Sequence, residues 1–142
     1  MSEVAFRITV LNPPRGVTFR LQRGRSELIG PSRETATSIS FDFTLRVAPG
    51  VAGDPPRLLG PFAQGPPTAR FVYVNSGKQA GQAESCWDRR AKVHLREVTA
   101  SVIEEAAASG AVIETQIAGT GRDGGPVCAT VPLIGGWRVV SE

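Results

Sequence analysis

The chain has 142 residues, of which 41% are hydrophobic and 20% charged, with a formal net charge of +3 at pH 7. That composition excludes a disordered chain, and a domain of this length can bury a core without a metal or a disulfide. No apolar run approaches the roughly 18 residues of a membrane-spanning helix. The opening "MSEVAFRITV" lacks the basic and apolar regions of a secretion signal, so the expectation is one cytoplasmic domain over residues 1–142, with no linker and no membrane contact.

From the N-terminus, Val4, Phe6, Ile8 and Val10 alternate with Ala5, Arg7 and Thr9, the period of a half-buried strand. After the turn residues "NPPRG", Val17, Phe19 and Leu21 oppose Thr18, Arg20 and Gln22, and the two runs predict a hairpin. The alternation is cleanest in "SISFDFTLRV", where Ile39, Phe41, Phe43, Leu45 and Val47 face one way and Ser40, Asp42, Thr44 and Arg46 the other.

Residues 49–68, "PGVAGDPPRLLGPFAQGPPT", hold six prolines and show no helical or strand period. They predict a long loop, a kind of connection that is often functional in compact domains. Phe71 to Val74 form a continuous apolar run, which predicts a strand covered on both sides and ended by Asn75, Ser76 and Gly77. Further on, Ala91, Val93 and Leu95 oppose Lys92, His94 and Arg96. "TASVIEEAAASG" predicts a helix near residues 100–109, with Ser101 and Glu104 as a capping box, Thr99 as a competing cap and Gly110 as the stop. "AVIETQIAG", "VCATVPLI" and "GWRVV" read as three more strands. The sum is a mainly β, α+β chain of about eight strands in an antiparallel barrel or sandwich, because no repeated strand-helix alternation marks a parallel sheet.

Gly119, Gly121 and Gly124 stand at the spacing of a dinucleotide-binding fingerprint. That fingerprint requires a following helix, whose free N–H groups and dipole hold the pyrophosphate. Here Gly125, Pro126 and the β-branched "VCATV" follow, so the glycines predict a hairpin turn at "RDGG" and no nucleotide cofactor. "NSGKQAGQ" fails as a phosphate loop because Gln79 follows Gly77-Lys78, and it reads as a loop.

Cys86 and Cys128 are the only cysteines, too few for a disulfide framework in a chain that can build its own core. With His94 the only histidine, they offer no metal-ligand spacing. Arginine outnumbers lysine 14 to 2, a bias toward planar, bidentate recognition of anions if it is more than compositional. Three functional readings follow. In the first, a polar pocket takes a small anionic or polar ligand: Arg46 and Arg96 clamp it, Arg20, Tyr73 and Gln64 line it with Phe62 near its mouth, and Asp42 and His94 orient it or move a proton. In the second, a small hydrolase or isomerase uses Cys86 or His94, the neighbouring cations favouring the thiolate and the neutral imidazole. In the third, a sheet face or edge strand makes a homodimer or interaction module. Mild net charge, 6% aromatic residues and no basic run longer than Arg89-Arg90 argue against nucleic acid, because no stacking platform is visible along the chain.

With "GVTFRLQRG", "GPFAQGPPTARFVYVNSG", "CWDRRAKV" and "GTGRDGGPVCATVPLIGGWRV" in view, the chain resembles a family of small uncharacterised bacterial proteins classed as a domain of unknown function. The resemblance runs from about Arg7 to Val140 and implies a bacterial, cytoplasmic, single-domain protein. It brings no activity or site residues.

Overall fold

The computed structural model describes residues 2–22, 28–48, 57–59, 71–79, 89–121 and 129–141. In chain order the strands are β1 (Ser2–Leu11), β2 (Val17–Gln22), β3 (Leu28–Ile29), β4 (Arg33–Glu34), β5 (Ser38–Ala48), β6 (Arg57–Leu59), β7 (Phe71–Gln79) and β8 (Arg89–His94). The helix α1 (Ala100–Ser109) follows, then β9 (Val112–Ala118), β10 (Ala129–Thr130) and β11 (Ile134–Val140). They form two sheets. Sheet A has the order β11-β9-β1-β5-β4, with β6 also on β5, and sheet B the order β10-β8-β7-β2-β3. The sheets do not close into a barrel; of the two expected architectures, this one is sandwich-like. Pairing is mostly antiparallel, although β1 with β9 and β8 with β10 run parallel.

The alternation read from the sequence decides which face is inward. Phe6, Ile8 and Val10 of β1, Phe41 of β5 and Ile113 of β9 meet Leu21 of β2, Val72 of β7 and Val93 of β8 in one buried cluster. An apolar side chain of this size gains about 1.5–3 kcal/mol from full burial, and that gain, repeated across both inner faces, holds the layers together. Among the described residues the interior is mainly apolar, with the buried hydroxyls of Thr115 and Ser76 among its side chains, and the Arg-bearing faces point outward.

Several local expectations are corrected. Residues 4–11 and 17–22 do not pair as a hairpin, because β1 lies in sheet A and β2 in sheet B. Likewise β9 and β10 belong to different sheets and do not pair with each other; residues 122–128, with the "RDGG" turn, lie outside the described residues. Gly119 serves close approach instead. A Cβ there would stand 2.8 Å from the Leu11 carbonyl oxygen and 2.8 Å from Pro13 Cα, and its own N–H donates to that carbonyl at 2.7 Å. Asn75, Ser76 and Gly77 do not end their strand: β7 continues to Gln79, opposite β2 and β8. The expected loop over residues 49–68 contains β6, which pairs with the far end of β5 and buries Leu58.

Helix α1 is capped by Thr99, whose Oγ1 accepts from the Val102 N–H at 3.3 Å, and not by a box at Ser101. It stops at Gly110, where φ is +70°, a left-handed conformation that glycine adopts without a Cβ penalty. Its buried residues Ile103 and Ala106 join the core, and the helix packs on β1, β9 and β11.

Candidate functional site

The two outer faces differ in how their charges are used. On sheet A, register places Arg7 opposite both Asp42 and Glu114, and Glu114 opposite Arg138. The side chains make a row of alternating sign across β5, β1, β9 and β11: Arg7 Nε to Asp42 Oδ1 at 2.7 Å, Arg7 Nη1 to Glu114 Oε2 at 3.8 Å, and Arg138 Nη2 to Glu114 Oε1 at 3.6 Å. Arg138 reaches this row through a bulge in which four residues of β11 span two of β9, made by Gly135 and Gly136 at φ +77° and +65°. Beside the row, the buried hydroxyls of Thr9 and Ser40 bond to each other at 3.0 Å. This face pairs cations with carboxylates.

Sheet B is different: none of its five strands contains an aspartate or glutamate. Its outer face is a small grid. Arg20, Asn75 and Arg90 form one row across β2, β7 and β8; Gln22, Tyr73 and Lys92 form the next; Phe71 and His94 form the third. Two of its cations lean one row along onto rings: Arg90 Cζ lies 4.8 Å from the Tyr73 centroid and Lys92 Nζ 4.4 Å from that of Phe71. Such contacts are worth roughly 0.5–1 kcal/mol at exposed sites. Phe71 also meets Tyr73 edge-on at 5.2 Å and His94 edge-on at 6.3 Å. The Arg20 guanidinium lies along Gly30, where an added Cβ would stand 2.8 Å from Nη1.

Asn75 sits in the middle of this grid. It is 3% exposed; its amide nitrogen donates to Gln22 Oε1 at 2.8 Å, and its Oδ1 has no hydrogen-bond partner. An unpaired buried acceptor costs about 1–3 kcal/mol. Beyond β8 the grid opens into a recess of about 270 Å³ lined by His94, Arg96, Glu97, Val131, Pro132 and Leu133. The chain is held there by the Val131 N–H, which donates to the Lys92 carbonyl at 3.2 Å, and by Trp137 of sheet A, whose Nε1 donates to the His94 carbonyl at 3.0 Å.

The residues singled out from sequence therefore divide. Arg20, Tyr73 and His94 share the outer face of sheet B, and Arg96 lines the adjoining recess. Arg46 lies exposed on β5 of sheet A, opposite Glu3, and Asp42 is in the ion-pair row of the same sheet. A small ligand cannot touch both sets, so Arg46 does not join Arg96, nor Asp42 His94. Phe62, Gln64, Cys86 and Cys128 lie outside the described residues. Lys92, Arg90, Phe71 and Asn75 were not singled out as ligand contacts, and only strand register reveals them: they are neighbours across β7 and β8, about twenty residues apart in the chain. Among the described residues no three His, Cys, Asp or Glu side chains gather as metal ligands, and no helix is long and apolar enough to cross a membrane.

No curated protein and no solved structure matches the chain. One family does, over residues 4–140, nearly the span that the sequence phrases suggested. A chain with this two-sheet architecture and this match belongs to DUF5990, a family of unknown function.

Proposed function

We propose that the protein binds a small anionic ligand on the outer face of sheet B, with Arg90 and Lys92 as the charged contacts and Tyr73 beside them. The observation that carries this reading is the segregation of charge: the Arg7 and Arg138 cations of sheet A meet carboxylates, whereas the strands of sheet B contain none. Cations resting on rings are held in place at little cost and keep their hydrogen-bond donors for a negatively charged oxygen. His94 and Arg96 extend the same surface into the recess, which gives a ligand a wall on one side.

A thermal-shift titration with millimolar pyrophosphate, sugar phosphates and dicarboxylates tests the proposal. A ligand at about 100 times its Kd adds about 2.7 kcal/mol, which for a chain of this size raises Tm by roughly 2–8 °C. The shift is expected to fall in Arg90→Ala and Lys92→Ala and to persist in Arg46→Ala. A shift abolished by Arg46→Ala but kept in the other two would place the ligand on sheet A and overturn the assignment.

A further inference from the structure

We propose that the anion belongs to a single-stranded nucleic acid whose bases stack on Phe71 and Tyr73. The inference rests on the anionic-ligand reading and adds the class of ligand. A site for a bare anion needs donors alone. This face sets two aromatic rings, at alternate positions of the central strand β7, among the cations, and all of them are at least partly exposed. Base stacking on exposed rings is the sequence-tolerant way proteins hold unpaired strands, with a charged surface tracking the backbone.

The arrangement also repeats. Arg90 on Tyr73 and Lys92 on Phe71 are the same unit displaced by two residues along β7 and β8, about 6.6–6.8 Å of strand. A repeating unit fits a repeating ligand, one ring and one cation for each nucleotide, better than a single small molecule. A duplex would meet the same cations with its base faces already stacked, and so leave the rings unused.

Fluorescence anisotropy on the full chain decides the matter, with a labelled 12-nucleotide oligothymidylate, an abasic strand of equal length, thymidine monophosphate and a duplex as ligands. The unpaired strand is expected to bind at least tenfold tighter than the abasic strand and the duplex, and the log–log salt slope to be about −2 for three neutralised phosphates. Phe71→Ala and Tyr73→Ala are each expected to weaken it about 5- to 150-fold and to weaken abasic binding, which loses only the support the rings give to the cations, by a smaller factor. Tyr73→Leu, which keeps the side-chain bulk, provides a folded comparison, and thermal unfolding checks every variant. Equal affinity for base-bearing and abasic strands would overturn the inference and leave the anion site standing. Monophosphate binding as tight as the 12-mer would overturn it in favour of a free nucleotide. Binding of neither strand would overturn it too, and the pyrophosphate titration would then decide the anion site separately.

Discussion

At the scale of single residues, Gly119 shows how one glycine can be misread. Its spacing with Gly121 and Gly124 suggests a phosphate cradle, but its lack of a side chain serves the packing of one backbone on another. Leu11 O and Pro13 Cα both lie 2.8 Å from where a Cβ would be, and neither is the far end of a flexible side chain. Gly119→Ala is therefore expected to lower stability by about 1–3 kcal/mol, the usual cost of overpacking, measured as a fall in the urea midpoint with an unchanged slope. Asn75 is the opposite case. As part of "NSG" it reads as a turn residue, because Asn, Ser and Gly are turn formers by local chemistry, yet pairing with β2 and β8 on both sides keeps it in a strand. Local preference weighs tenths of a kcal/mol to about one, and two flanking strands outweigh it.

At the scale of elements, periodicity was a good guide wherever an element buried one face. β1, β2, β5 and β8 place inward the residues that alternation selected, and α1 lies within a residue of its expected start. The helix's beginning was decided between two hydroxyls. Thr99 has extended backbone angles, φ −75° and ψ +162°, and accepts from Val102 N–H, while Ser101 is already within the first turn. Thr99→Ala is expected to cost about 1 kcal/mol in thermal unfolding, and Ser101→Ala a few tenths at most. Short elements were illegible: β3, β4 and β6 have two or three residues each, below the length at which any period can be counted. They exist because a longer strand offers them an edge.

At the scale of the whole molecule, the connection between the sheets matters as much as the sheets. Trp137 enters the core behind the Gly135-Gly136 bulge, stacks edge-on against Phe6 with centroids 5.6 Å apart, and donates across the layers to the His94 carbonyl. That bond ties sheet A to the end of β8 that carries the candidate site. Trp137→Phe keeps most of the apolar contact and removes the bond to the His94 carbonyl. Stability is expected to drop by about 1–3 kcal/mol, with faster amide exchange along β8 than along β5. Uniform acceleration across both sheets would show that the bond stabilises the molecule without locally holding β8.

Sequence alone determined the fold class, the inward faces of the long strands and the place of the helix, because each follows from contacts within a few residues and from the periods of strand and helix. It could not determine which strands are neighbours. β1 and β2 are adjacent in the chain and lie in different sheets, while Phe71, Tyr73, Arg90 and Lys92 come from two distant segments and become a single surface. Whether an arginine meets a carboxylate or a ring was settled the same way. Arg7 stands between Phe6 and Ile8 and Arg90 between Arg89 and Ala91, and neither context names a partner; the partner strand, chosen by long-range burial of the opposite face, put Asp42 beside one and Tyr73 beneath the other.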